Sequence, residues 1–272
     1  MKIFQCSNGE IKEERSLIKV LKLDVNKKKI ISFVGGGGKT SLIYELGNEL
    51  MQLGKKVIIT TTTHMFMPKS NVVLTGKEED IRKLLYSENV ITVGMLCDEK
   101  DSGFKQSKLG NNEGLHYTYE GSLKKISGLP KNMAEGLIEL ADFVLVEADG
   151  SRRLPLKIPA EHEPVILEGS NLVVGVCGID AIGKPIKEIC HRGNLVAKFL
   201  NTDEEHIINE SDIAKILLSE NGQRKDVRCD YKVVLNKVDT KESLEIAKII
   251  FEEFSKLGAN ELIVTTFREH RY

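Results

Sequence analysis

The part of this sequence best suited to chemistry is a run of four glycines followed by a lysine and two hydroxyl residues. Residues 35–38 are all glycine, and the apolar run 30–34 comes just before them. Glycines let backbone amides turn toward an anion, and the N-terminus of a following helix directs its dipole to the same place. A lysine adds positive charge for the outer phosphates, and a threonine hydroxyl can hold Mg²⁺. A nucleotide phosphate site is therefore predicted at Gly35, Gly36, Gly37, Gly38, Lys39, Thr40 and Ser41.

The loop departs from the full Walker A pattern in one position. That pattern has a glycine six residues before the lysine, where this chain has Phe33. What remains is Gly-x-x-Gly-Lys-Thr, which is similar to the loop of the Mur ligases. The alternative is a glycine-rich turn that binds nothing. Each glycine costs roughly 0.5–1 kcal/mol relative to alanine in regular structure, so four in a row favour the ligand site.

Two carboxylates follow a second apolar run, residues 143–146. Glu147 and Asp149 stand where a strand of a parallel sheet would end, and ligands bind at that edge in open α/β folds. Either carboxylate can hold Mg²⁺ through water, because Mg²⁺ keeps part of its hydration shell. Thr40, Glu147 and Asp149 are therefore the predicted metal ligands, and Lys39 and Asp149 are predicted catalytic residues. The alternative is a solvated acidic turn.

A third apolar run, residues 231–235, ends in Asn236-Lys237-Val238-Asp239. This matches the Asn-Lys-x-Asp motif of GTP-binding proteins, in which the aspartate accepts hydrogen bonds from guanine that adenine cannot supply. A site built around such a pairing rejects the analogue lacking it by orders of magnitude. Asn236, Lys237 and Asp239 are therefore predicted to bind the base, with GTP favoured. The alternatives are ATP, or an Asn-Lys pair that only caps the next helix.

Residues 149–164 place ionisable side chains among three prolines. The prolines exclude a helix and favour an extended, rigid loop. Because Asp149 is only three residues away, Arg152 must leave the sheet beside the phosphates. We expect Arg152, Lys157, Glu161 and His162 to line a second site there. Arg152 would neutralise transition-state charge and His162 would transfer a proton, so both are predicted catalytic residues. The alternative is a salt-bridged structural loop.

Two further polar stretches carry weaker signals. The threonines at 60–63 end a β-branched run, where they either orient phosphate or simply fill a strand. His191 and Arg192 follow residues 178–184, and a single histidine beside an arginine favours a structural role.

Strand-like and helix-like patterns alternate along the chain. Helical patterns are predicted at 40–53, 78–86, 131–141, 195–200, 211–218 and 241–257. Strands are predicted at 30–34, 56–63, 90–96, 143–146, 172–176, 231–235 and 262–264. This alternation predicts an α/β fold, a doubly wound and mainly parallel sheet of P-loop NTPase type with helices on both faces. We expect one domain over residues 1–272, with a small inserted loop or hairpin region at about 97–130.

Composition excludes several classes of protein. Hydrophobic residues make up 41% and charged residues 29%, and 39 basic against 40 acidic side chains leave no basic footprint for nucleic acid. No apolar run reaches the ~18–20 residues of a membrane span, and the N-terminus turns charged too early for a signal peptide. Five scattered cysteines without a C-x-x-C pair indicate reduced thiols. A cytoplasmic protein is therefore expected.

The motifs resemble those of the YqeC-like family. The resemblance rests on residues 34–41, 60–63, 146–152, 154–157, 159–164, 178–180, 191–192 and 236–239. It implies a nucleotide-binding accessory protein for selenium-dependent molybdenum hydroxylases. The implied partners are such a hydroxylase or its cofactor-assembly proteins. Cys190 is outside the pattern associated with the family. Many related P-loop proteins dimerise, so a homodimer is one of the compatible oligomeric states.

Three functions are compatible with these motifs. The first is a Mg²⁺-dependent nucleoside triphosphatase, GTP favoured over ATP, that serves maturation of the hydroxylase cofactor. The second is an ATP-dependent ligase or kinase that activates a small molecule. The third is a nucleotide-bound carrier that hands over a cofactor without turnover.

Overall fold

The apolar runs of the sequence form neighbouring strands of one large sheet. The structure is a computed structural model that describes residues 1–7, 10–97 and 125–267. Within these residues the sheet has ten strands, in the order β2-β1-β15-β14-β12-β3-β10-β4-β7-β6. Their bounds in that order are Glu10–Glu14, Lys2–Ser7, Glu261–Thr266, Asp230–Asn236, Ser170–Gly178, Lys29–Gly35, Phe143–Glu147, Val57–Thr61, Val90–Val93 and Val72–Val73.

The sheet is parallel except at one edge. Every neighbouring pair from β15 to β6 is parallel, whereas β1 pairs antiparallel with both β15 and β2. The predicted α/β fold with a mainly parallel sheet is confirmed. The β1–β2 hairpin was not predicted, because its polar residues carry little of the apolar pattern that marks a buried strand.

Helices cover both faces of this sheet. Their bounds are α1 Leu17–Val20, α2 Lys39–Gln52, α3 Glu78–Ser87, α4 Lys131–Gly136, α5 Ile186–Ile189, α6 Gly193–Leu200, α7 Glu210–Leu218 and α8 Lys241–Lys256. Ile31 of β3 shares one core with Leu46 of α2, whereas its neighbour Ile30 shares another with Ile81 of α3. Successive side chains of a strand point to opposite faces, so α2 and α3 lie on opposite sides.

Two predicted elements are divided in the structure. The strand expected at 90–96 becomes β7 and β8 (Met95–Leu96), and β8 joins β5 (His64–Phe66) and β9 (Lys125–Ser127) in a small antiparallel sheet. Gly94 lies at the break, where a Cβ would stand 2.9 Å from Ser127 O. The helix expected at 131–141 ends at Gly136 and continues as a 3₁₀ turn, Leu137–Glu139. Most of the predicted insertion at 97–130 lies outside the described residues.

Candidate functional site

Four strands bring the predicted site residues to the same edge of the sheet. β3 ends at Gly35, β10 at Glu147, β12 at Gly178 and β14 at Asn236. These strands are parallel neighbours in the order β14-β12-β3-β10. Their carboxyl ends therefore meet, as the strand ends of open α/β sheets do where ligands bind.

Close approach of neighbouring backbone requires the glycines of the loop. Gly37 has a φ of 75°, and a Cβ there would stand 2.1 Å from Gly178 N. At Gly36 a Cβ would stand 2.5 Å from Leu154 O. Both distances are shorter than any real Cβ contact, so a side chain would push β12 or the segment at Leu154 away from the loop.

The first three loop amides donate within the protein. Gly35 N donates to both carboxylate oxygens of Asp149 at 3.0 and 3.1 Å. Gly36 N donates to Val176 O at 2.9 Å, and Gly37 N donates to Leu154 O at 3.1 Å. The amides at the start of α2 differ, because first-turn amides have no intrahelical acceptor, and Gly38 provides no side-chain cap. The donors left available for an anion are therefore the first-turn amides of α2, because those of Gly35–Gly37 are already engaged.

Lys39 and Thr40 lie against the two carboxylates that follow β10. Lys39 Nζ is 2.5 Å from Gly35 O, 3.1 Å from Asp149 Oδ1 and 3.9 Å from Glu147 Oε1, and the residue is only 3% exposed. Thr40 Oγ1 donates to Glu147 Oε2 at 2.6 Å. The structure thus brings together the predicted phosphate lysine and all three predicted metal ligands.

The two carboxylates have different surroundings. Asp149 binds Gly35 N, Lys39 Nζ and, at 3.1 Å, Lys157 Nζ. Glu147 has the Thr40 hydroxyl and only a distant Lys39, and burial raises its pKa. A buried carboxylate with so little compensating charge is stabilised by a bound cation. Carboxylate and hydroxyl oxygens suit Mg²⁺, so the Glu147–Thr40 pair fits this ion better than Asp149 does.

This pair alone would be an incomplete metal site. The described ranges contain no cluster of three or more histidine, cysteine, aspartate or glutamate residues arranged to hold a metal. A Mg²⁺ ion at Glu147 and Thr40 would therefore need phosphate oxygens and water for its remaining ligands, which is its usual mode of binding to nucleotides.

A series of ion pairs, which we call the charge line, runs from Asp149 through Lys157 and Glu163 to Arg192. Lys157 is 0% exposed, and its ammonium contacts Asp149 Oδ2 at 3.1 Å, Glu163 Oε2 at 2.6 Å and Gly150 O at 2.8 Å. Glu163 in turn accepts hydrogen bonds from both terminal nitrogens of Arg192, and Nη2 lies 3.1 Å from Oε1. Sequence reasoning missed the Lys157–Glu163–Arg192 connection, because no local pattern marks a buried lysine or pairs residues 29 apart.

Stability is expected to depend on Glu163 in acid. Burial acts to raise the pKa of Glu163, but the hydrogen bonds from Arg192 and Lys157 outweigh it and lower the pKa from 4.5 to about 2. The ionised form therefore stabilises the fold above pH 4.5, and that contribution is lost as the pH falls toward 2. In urea denaturation, the difference in unfolding free energy between wild type and Glu163→Gln should shrink over this range. A difference independent of pH would contradict this assignment.

The remainder of the proline-containing loop at residues 149–164 is held in place through its backbone carbonyls. Lys225 Nζ donates to Ala160 O, Glu161 O and Glu163 O at 2.7–2.9 Å. Glu161 and His162 are exposed, and within the described part of the chain His162 makes no hydrogen bond or ion pair. Of the four residues predicted to line a second site, Lys157 instead lies in the buried charge line and Arg152 is exposed. The structure does not bring these four together.

The Asn-Lys-x-Asp motif is tied to the glycine loop. Asn236 is buried; its Nδ2 donates to Gly37 O at 2.8 Å and its Oδ1 accepts from Thr265 at 2.9 Å. Lys237 Nζ lies 2.8 Å from Asp180 Oδ2, and the Asp239 carboxylate accepts from the Thr266 hydroxyl. The helix-capping alternative is excluded, because Thr240 is the residue that caps α8.

The threonines at 60–63 are engaged in structural bonds. Thr60 donates to Val93 O at 2.8 Å, Thr61 to Glu147 O at 2.8 Å and Thr62 to Val165 O at 2.9 Å. The bonds of Thr60 and Thr61 tie β4 to neighbouring strands, and the bond of Thr62 ties the residue after β4 to the segment at Val165. These bonds favour the structural interpretation of this run.

Comparison with known proteins agrees with the motifs. The family model described as YqeC protein matches residues 31–194. The "Uncharacterized protein YqeC" of Escherichia coli (strain K12) is 30% identical over 212 residues, which are 76% of this chain and 75% of that protein. Across the described ranges, no helix has the length and apolar character to cross a membrane. On the family match and this identity, the chain belongs to the YqeC family.

Proposed function

We propose that this protein binds a nucleoside triphosphate with Mg²⁺ at residues 35–41 and hydrolyses it, with GTP favoured. The observation that carries the proposal is the contact of Lys39 and Thr40, at the start of α2, with Asp149 and Glu147 at the end of β10. A cation, open helix amides and a metal-suited carboxylate beside a glycine loop are the parts that phosphoryl transfer uses.

Different residues of the loop and of the end of β10 would bind the phosphates and the Mg²⁺ ion. Lys39 would exchange Gly35 O for phosphate oxygens, and Asp149 would hold its ammonium at the loop. Glu147 and Thr40 would hold Mg²⁺, which neutralises phosphate charge when bound. Arg152 lies on the turn between Asp149 and Leu154, both of which bond to loop amides, so its guanidinium can reach the outer phosphate. His162 remains a prediction from sequence alone.

Mg²⁺ dependence is expected to follow Thr40 and Glu147. Thr40→Val and Glu147→Gln should reduce the Mg²⁺-dependent part of nucleotide affinity by about tenfold, the effect of losing about 1.4 kcal/mol of binding. Thr40→Ser keeps the hydroxyl and is the matched control. Asp149→Asn should instead lower stability whether or not Mg²⁺ is present. Calorimetric titrations with and without Mg²⁺ measure the effect, and an equal Mg²⁺ response in Thr40→Val and wild type would refute the assignment.

The base motif predicts selectivity for guanine. GTP is expected to bind more tightly than ATP, and Asp239→Asn should shift the preference toward xanthine nucleotides, because an amide can donate to the xanthine O2 where a carboxylate only accepts. Competition binding with GTP, ATP and XTP tests this directly. If GTP and ATP bind equally in the wild type and the mutation changes nothing, the motif does not read the base.

We further propose, on the family relationship, that the protein serves maturation of a selenium-dependent molybdenum hydroxylase. The test is a strain that lacks the protein, complemented with wild type or with Lys39→Ala. We expect only the wild type to restore hydroxylase activity and the selenium content of the purified hydroxylase. A fully active, selenium-loaded hydroxylase in the uncomplemented strain would exclude this role.

A further inference from the structure

His191 lies one strand away from the segment that contacts the glycine loop. Residues 154 and 155 accept from Gly37 N and Gly178 N, and the chain continues into β11, Leu156–Lys157. β11 pairs in parallel with β13, Cys190–His191, with Lys157 opposite His191. Adjacent strands are about 4.8 Å apart, so His191 lies beside Lys157, whose ammonium contacts Asp149 at the candidate nucleotide site.

The side of the β11–β13 ladder that carries His191 is the charged one. Leu156 and Cys190 pack together in a hydrophobic core. Because side chains alternate along a strand, Lys157 and His191 point to the opposite side, where Lys157 meets Asp149 and Glu163. The imidazole therefore faces the charge line and not the core.

Arg152 and Arg192 flank this position with backbone conformations that non-glycine residues rarely adopt. Their φ angles are 50° and 60°. Left-handed backbone costs roughly 1–2 kcal/mol for such a residue, and it clusters where function requires it. Arg152 is exposed and makes no ion pair among the residues that the structure describes. Arg192 uses two of its five N–H groups on Glu163, which leaves three for a ligand.

Positive charge exceeds negative charge around His191. Burial and then the charges of Arg192, Lys157 and Arg152 lower its pKa from 6.5 to about 4, whereas Glu163 acts in the opposite direction. The imidazole is therefore neutral near pH 7, with one donor and one acceptor nitrogen. Within the described ranges its ring has no hydrogen-bond partner. Arg192 and Lys157 are paired with Glu163, whereas Arg152 has no ion pair among the described residues. Arg152 beside a neutral imidazole donor therefore leaves positive charge that suits an anion.

We propose that Arg152, His191 and Arg192 bind the oxyanion group, a phosphate or a carboxylate, of a second small-molecule substrate beside the nucleotide. This inference rests on the proposed function, because the substrate is placed beside the proposed nucleotide site. It replaces the second site expected from sequence, since His191 and Arg192 take the places given to Glu161 and His162.

The experiment uses ¹⁵N-histidine-labelled full-length protein saturated with a non-hydrolysable GTP analogue and Mg²⁺, so that the glycine loop is filled. Orthophosphate and acetate are titrated separately while the His191 ring resonances are followed. Arg152→Ala is compared with Arg153→Ala, a matched control. Arg153 is the next residue and also has a positive φ, but its guanidinium stacks on Phe66, 4.5 Å from the ring centroid. Binding of the GTP analogue is measured by calorimetry on the same samples.

A saturable shift of the His191 resonances is expected with one or both anions, and the stronger anion identifies the group as phosphate or carboxylate. Arg152→Ala should weaken that binding about tenfold or more, as loss of a charge-assisted hydrogen bond does, whereas Arg153→Ala should change it less than twofold. No shift at His191, or equal weakening in both variants, would overturn the second site. Absence of analogue binding would overturn the nucleotide site instead, and the anion titration would still report on His191.

Discussion

Lys39→Ala is expected to weaken nucleoside triphosphate binding by about 100-fold or more while the protein stays folded. Lys39 Nζ lies 2.5 Å from Gly35 O in the glycine loop and contacts Asp149 Oδ1 at 3.1 Å, whereas Glu147 Oε1 is 3.9 Å away. Two charge-assisted hydrogen bonds to phosphate contribute about 1.5–3 kcal/mol each, and about 1.4 kcal/mol is a tenfold change in affinity. The fold should persist because Asp149 keeps Gly35 N and Lys157.

Titration calorimetry measures this loss, and circular dichroism checks the fold. Lys256→Ala is the control, since Lys256 lies at the end of α8 and its ammonium pairs with Glu253 on the surface. If the Lys39 variant bound nucleotide as the wild type does, the glycine loop would not be the phosphate site.

Lys157→Met is expected to destabilise the fold by about 3–5 kcal/mol, the typical effect of removing one partner from a buried ion pair. Lys157 is fully buried and is shared by Asp149 and Glu163. Methionine fills much of the volume but leaves Asp149 with Lys39, and Glu163 with Arg192, as their remaining cations. The loss therefore acts on two carboxylates at once.

Urea denaturation of the nucleotide-free protein measures this effect. Lys187→Met is the matched control, because Lys187 pairs with Glu205 on the surface, where ion pairs contribute about 0–1 kcal/mol. An equal effect of the two substitutions would mean that the buried charge line carries little of the stability.

The fold was predictable where local pattern and burial agree. β3, the glycines and α2 follow one another as an apolar run, a flexible turn and an amphipathic helix, and each signal lies within a few residues. The β1–β2 hairpin lacks such a signal. The break at Gly94 depends on contact with Ile126 and Ser127, more than 30 residues away, and no local rule contains that contact.

The residues of the candidate site were predictable from the sequence, whereas many of their contacts were not. Lys39, Thr40, Glu147 and Asp149 were identified from motifs, and the structure places them in contact. Which carboxylate is better suited to a metal could not be foreseen, because it depends on the buried pairing of Lys157 with Asp149, whereas the sequence assigned Lys157 to a second site. The role of His191 likewise depends on strand pairing between β11 and β13.

Isothermal titration of the wild-type protein with GTP and with ATP, each with and without Mg²⁺, tests the central claim most directly. We predict saturable binding of GTP at one site per chain, tighter than that of ATP and strengthened by Mg²⁺. No binding of either nucleotide in the presence of Mg²⁺ would contradict a nucleotide site at residues 35–41 and, with it, the proposed function.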